Sequence, residues 1–213
     1  MKNIVQIAKQ SKTLGEFLYS YIDYLNKALN SIDPNQLEAL VSSLEKARIN
    51  GNTIFIIGNG GSATTSTSMA NDLGFDIIKK TKTKKPFKFL SLTDNNSVIT
   101  AIANDIGYDE VFVNQLKIHF RKGDLLIVIS ASGNSKNLLK AVKWFKEKKG
   151  KVISFLGFSG GKLLNLSDIK IHIKTQKGDY GPVEDSHLVI NHILAHWFQA
   201  SIKWHFKVWK KKY

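Results

Sequence analysis

A chain of 213 residues, 43% of them hydrophobic, is long enough to bury one sizeable core and short for two. It carries no Cys, which excludes disulfides and thiolate metal sites and points to a reducing cytoplasm. The net charge of +14 is almost wholly Lys, with Arg48 and Arg121 the only Arg, so a solvated surface attractive to anionic substrates is favoured over a nucleic-acid reader built on the Arg fork.

The opening Met1-Lys2-Asn3-Ile4-Val5-Gln6 lacks the apolar core of a signal peptide, and no apolar run approaches the ~20 residues of a membrane helix. A cytoplasmic protein with no membrane partner is expected. Leu14, Phe17, Leu18, Tyr21, Leu25 and Leu29 recur at helical spacing and predict a helix over 14–29. Asp33 as N-cap and Pro34 at the first helical position open a second helix over 34–49. Short apolar runs then predict strands at 53–57, 88–92, 125–130, 152–156 and 169–173. Helices are predicted at 63–73, 95–105, 109–119, 136–148 and 183–204. Strands with so little polar alternation belong to a parallel sheet buried on both faces. The expected fold is a three-layer α/β/α sandwich with a five-stranded parallel, flavodoxin-like sheet, preceded by two N-terminal helices. One domain is expected, with a helical extension over 1–50, an α/β core over 51–205 and a basic aromatic tail over 206–213. The helices at 14–29, 34–49 and 183–204 offer more apolar surface than such a sheet needs, which predicts an oligomer.

Two Ser/Gly-rich loops carry the chemistry. Gly58-Asn59-Gly60-Gly61-Ser62 follows the first strand, and Ser130-Ala131-Ser132-Gly133-Asn134-Ser135 follows the third. Glycines let backbone approach a ligand, while Ser hydroxyls and helix N-terminal amides donate to an anion. Both loops lie beyond the carboxyl ends of the strands, where α/β sheets bind ligands. Neither a Walker phosphate loop nor GxGxxG is present. A phosphorylated small molecule held between the loops is the reading.

The ordered set GNGGS, SLTDNNSVITAIANDIGYDEVF, SASGNS and EDSHLVINHI resembles the sugar isomerase (SIS) domain family, and within it the phosphoheptose isomerases. The resemblance implies interconversion of sedoheptulose 7-phosphate and a heptose 7-phosphate, for surface polysaccharide, by a homotetramer with sites at subunit contacts. It implies that Ser62, Ser130, Ser132 and Ser135 hold the phosphate, with Asn59, Gly60, Gly61 and Ala131 also at the substrate. Ala131 stands where the family usually has Thr, so one hydroxyl is missing. Asp94 matches a residue that contacts sugar hydroxyls, and it also reads as the N-cap of helix 95–105.

Aldose-ketose isomerisation needs an acid/base pair to move a proton through an enediol. The resemblance assigns this to Asp72, where relatives carry Glu, and to His192. It also implies a divalent-metal site whose positions here are Ser68, Asp72, Glu184 and His192. The retained donors Asp72, Glu184 and His192 suit zinc weakly or a harder ion. His187 lies roughly 140° from His192 on a helical wheel, which points to a place behind the site or at a subunit contact. His196 is a further candidate near it. Gly181 replaces an Asp of the family before the last helix, with Asp179 nearby. The departures at Ser68, Ala131 and Gly181 keep a second reading open: a non-catalytic phosphosugar-binding protein, or one that associates with a replication initiator.

Overall fold

The computed structural model describes residues 3–204. Three helices precede the sheet: α1 (Ile4–Gln10), α2 (Leu14–Asn30) and α3 (Pro34–Asn50). The Asp33 carboxylate accepts from the Asn35 amide, and Pro34 opens α3 as its spacing predicts. Helix α1 is too short for a periodic signal; its capping box at Asn3 and Gln6 holds its first turn.

Strand β1 (Thr53–Gly58) is followed by α4 (Gly61–Ala70), a π-helical turn (Asn71–Phe75) and α5 (Asp76–Thr81). Then come β2 (Lys88–Ser91), α6 (Asn96–Asp105), a 3₁₀ turn (Tyr108–Glu110), α7 (Val111–His119) and β3 (Leu125–Ser130). The chain continues through α8 (Lys136–Glu147), β4 (Lys151–Leu156), α9 (Leu163–Leu166), β5 (Ile169–His172) and α10 (Tyr180–Trp204). The five strands are parallel in the order β2-β1-β3-β4-β5. This is the expected flavodoxin-like sheet.

Helix α4 does not stop near residue 73. The Asp76 amide bonds to the Asn71 carbonyl, and this i→i+5 turn carries the helix past Gly74 to Thr81. The expected Asp94 cap is also corrected: Asn95 is the N-cap of α6, its side chain accepting from the Val98 amide.

Adjacent strand residues face opposite layers. Ile54, Ile56, Ile127, Ile129 and Phe155 pack with Leu40, Leu44, Met69, Leu73, Ile190, Leu194 and Phe198 from α3, α4 to α5 and α10. Phe55, Ile57, Leu126, Val128 and Leu156 pack with Phe112, Leu116, Leu138, Val142 and Phe145 from α7 and α8. Such burial stabilises by about 25 cal/mol per Å² of apolar surface. Helix α2 is tied to the segment before α10: Tyr24 donates to Asp179 at 2.6 Å, and the Ile4 amide donates to the same carboxylate at 3.1 Å. Asp179 is therefore a buried anchor for the N-terminal helices.

His187 lies wholly inside this core, with Phe155 edge-on at 5.8 Å. It is not at a subunit contact. Burial drives its pKa down to about 4; the Leu156 carbonyl opposes the shift, although neither ring nitrogen has a partner with hydrogen-bond geometry. A His neutral in the fold but charged when unfolded lends stability fully present above pH 6.5, lost as pH falls toward 4. The whole effect is about 3 kcal/mol. His187→Leu is expected to flatten this part of the pH profile of denaturant unfolding, whereas a parallel slope in both proteins would contradict it.

Candidate phosphosugar site

The sheet brings the two Ser/Gly loops side by side because β1 and β3 are hydrogen-bonded neighbours. They form a cleft of about 150 Å³ lined by Asn59, Ser62, Ser130, Ala131, Ser132 and Ser135, closed by Tyr180 and Glu184 from the start of α10. Two Ser of the second loop are poised to donate. Ser130 Oγ accepts from the Gly133 amide at 3.0 Å and Ser132 Oγ from the Asn134 amide at 3.3 Å, leaving both hydroxyl protons for a ligand. Ser135 begins α8 without capping it through its side chain. Helices α4 and α8 both aim their N-terminal amides at the cleft, the favoured setting for an anion. Ser132→Ala is expected to weaken phosphosugar binding by about 1–3 kcal/mol without moving the melting temperature. Calorimetric titration reads this, and unchanged affinity would contradict the assignment.

Three features that hold the cleft escaped the sequence reading. Asn59 and Asn137 exchange amide bonds at 3.0 and 2.9 Å, clamping one loop to the other, and Tyr108 donates to Asn59 at 3.0 Å. A third loop, Gly157-Phe158-Ser159-Gly160-Gly161, buttresses the second: the Leu163 amide bonds the Gly133 carbonyl and the Lys162 amide bonds Asn134 Oδ1. Gly133 has φ +63°, and a Cβ there would lie 1.9 Å from the Gly160 carbonyl oxygen. Tyr180 stands edge-on to Phe158 at 5.0 Å, an aromatic wall across from Ala131. The run of glycines after β4 was the available signal for the third loop; single polar residues such as Asn137 gave none.

Of the predicted site residues, Gly61 touches the cleft through Glu184, whose carboxylate would lie 2.5 Å from a Cβ there. Burial, reinforced by Asp185, pushes the Glu184 carboxyl above its usual range. Gly60 takes φ +54° as the N-cap position of α4. Asp94 is exposed and absent from the cleft lining.

Asp72 and His192 do come together, with His192 Nε2 3.7 Å from Asp72 Oδ2. Asp72 Oδ2 also accepts from Asn191 at 2.6 Å, and Oδ1 from Asn71 at 3.0 Å. The pair lies outside the cleft of its own chain. His192 follows Glu184 by eight residues, about 12 Å of helix rise. His196 is exposed one turn beyond. Among the described residues of one chain no three His, Asp or Glu side chains form a metal-holding group, and Glu184 sits at Gly61, apart from Asp72 and His192. With both Asp72 oxygens accepting amides and Ser68 in place of an imidazole, these residues do not fit a metal ion within one chain.

The sheet is flavodoxin-like, with paired Ser/Gly loops at its strand ends and no nucleotide motif, and the chain belongs to the SIS domain family, whose model matches residues 19–157. Its curated relatives are more particular. A phosphoheptose isomerase of Helicobacter pylori strain P12 is 37% identical over 180 residues, which is 84% of this chain and 90% of the relative. One from Rhodospirillum rubrum is 35% identical over 145 residues, covering 68% and 74%. The solved phosphoheptose isomerase of Neisseria gonorrhoeae superposes with a TM-score of 0.77 at 26% identity, over 88% of this chain and 97% of that one. Among the described residues no helix is long and apolar enough to cross a membrane.

Proposed function

We propose that the chain is an aldose-ketose isomerase that interconverts sedoheptulose 7-phosphate and a heptose 7-phosphate. The observation that carries this reading is a Ser-lined anion cleft between two helix N-termini, in a chain 37% identical to a phosphoheptose isomerase. The phosphate is held by the hydroxyls of Ser62, Ser130, Ser132 and Ser135, with the Ala131 amide in place of a lost hydroxyl. Asp72 takes a proton from C1 of the ketose, and the electron pair forms the C1–C2 double bond while His192 protonates the C2 oxygen. The O1 proton then returns to His192 as the C1 carbonyl forms, and Asp72 delivers its proton to C2. One carbon-bound proton leaves and one arrives, so no oxidant is needed. The mechanism takes no step through a metal ion.

Because Asp72 and His192 stand off from the cleft of their own chain, the working site forms where copies meet, in a homotetramer. Exposed Leu188, Ile193 and Trp197 surround His192 on α10, and exposed Leu14, Leu18, Tyr19 and Ile22 follow one another along α2. Apolar area of that kind favours a subunit contact. Trp204 is exposed at the end of α10, while Phe206, Val208 and Trp209 of the expected aromatic contact lie outside the described residues. Light scattering at micromolar concentration is expected to give a tetramer mass; a monomer would sink the shared site. A cytoplasmic setting suits a Cys-free enzyme acting on a phosphorylated intermediate.

Purified protein incubated with sedoheptulose 7-phosphate is expected to accumulate an aldose phosphate. Binding without product would favour a phosphosugar-binding protein instead.

A further inference from the structure

Residue 191, like His187 before it, puts a polar side chain into the core from the last helix. Its neighbours on the buried face are Ile190, Leu194, Ala195 and Phe198, all within the core, yet position 191 is a fully buried Asn. Its Oδ1 has no partner, so the amide is poorly served as a packing group. Its Nδ2 makes a 2.6 Å bond to Asp72 Oδ2. The amide orientation follows from chemistry, since the reverse would set two oxygens against each other. Asp72 itself sits in the π-helical turn, where one extra residue per turn shifts the helix face.

We infer that Asn191 is a positioning residue that fixes the Asp72 carboxylate for proton transfer, an inference that rests on the reading of Asp72 as the base. Asp72 is short, so its place depends on what grips it. Asn191 holds Oδ2 from the buried side of α10, while His192, the next residue, reaches the same oxygen from the exposed side at 3.7 Å. Asn71 fixes the other oxygen. The carboxylate is thus oriented by amides from two helices and leaves the imidazole free of a direct hydrogen bond, available to the substrate oxygens. A donor amide replaces freedom of rotation with one geometry, and a misplaced base loses rate before it loses binding.

The test is steady-state isomerisation of sedoheptulose 7-phosphate by four full-length proteins: wild type, Asn191→Leu, Asp72→Asn and the double variant. Asn191→Leu is expected to lower kcat about 10- to 100-fold with KM within about threefold. The double variant is expected to be no slower than Asp72→Asn alone, because Asn191 acts only through Asp72. Wild-type kcat in Asn191→Leu would overturn the inference while leaving the isomerase reading intact. So would multiplied losses in the double variant, which mark a merely structural role. If Asn191→Leu fails to fold, Asn191→Ala carries the same comparison. A wild-type protein that turns over no phosphosugar overturns the isomerase reading and this inference together.

Discussion

Asp72→Asn and His192→Ala are each expected to cut turnover of the phosphosugar by about 10³-fold or more while leaving its affinity within a few-fold. The reasoning is geometric. The proposed phosphate site is the cleft of Ser62, Ser130, Ser132 and Ser135, and neither substituted residue lines that cleft. Removing a base or acid that acts only at the reacting end of the sugar takes away stabilisation present in the transition state alone, so kcat falls and binding survives. Both side chains are at least partly exposed, so the folds should stay intact. His187→Leu serves as the contrast, because that ring is sealed in the core and touches no substrate. Rate measurements paired with calorimetric titration decide the matter. Loss of affinity equal to the loss of rate would mean that the pair binds rather than catalyses.

Gly133→Ala should be the most damaging single methyl in the molecule for binding. Position 133 combines φ +63° with a backbone carbonyl, that of Gly160, 1.9 Å from where Cβ would be. The obstacle is main chain, so no rotamer change relieves it. Gly161, φ +53°, repeats the problem from the other side, against the Ser132 carbonyl at 2.3 Å. The Ser130-to-Ser135 loop must then move off the buttressing loop and take the hydroxyls of Ser130 and Ser132 with it. A stability loss of about 2 kcal/mol or more is expected, and phosphosugar affinity should fall at least about tenfold. Denaturant unfolding and calorimetry check both parts. An alanine variant with native affinity would contradict the close approach of the two loops.

The sheet was legible because its strands are short runs of Ile, Val, Leu and Phe, and runs of that kind have few other uses in a chain of this length. Its helices were legible where apolar residues recur, as in α2, α3 and α8. Periodicity failed where geometry is local. Gly74 reads as a helix stop, but the π turn at Asn71–Phe75 carries the chain through it. Asp94 and Asn95 are equally good caps in sequence, and only the backbone chose Asn95. Helices α1 and α9 are too short to show a face. For the site, the Ser/Gly loops marked the cleft that both of them line, because glycine and serine at strand ends have a direct chemical meaning. The roles proposed for Asp72 and His192 came from resemblance, and their 3.7 Å approach came only from the fold. Nothing in a linear reading pairs Asn59 with Asn137 or Asn191 with Asp72, since each pair joins residues far apart in the chain.

Proton exchange tests the central claim most directly. In deuterated water, an enediol mechanism places solvent deuterium on the carbon beside the carbonyl as ketose and aldose phosphates interconvert. Proton NMR of sedoheptulose 7-phosphate with the wild-type protein is expected to show an aldose phosphate carrying deuterium at C2, and Asp72→Asn to slow product and label together by the same large factor. Persistence of the unlabelled ketose with the wild-type protein, while the same sample still binds it, would contradict the account.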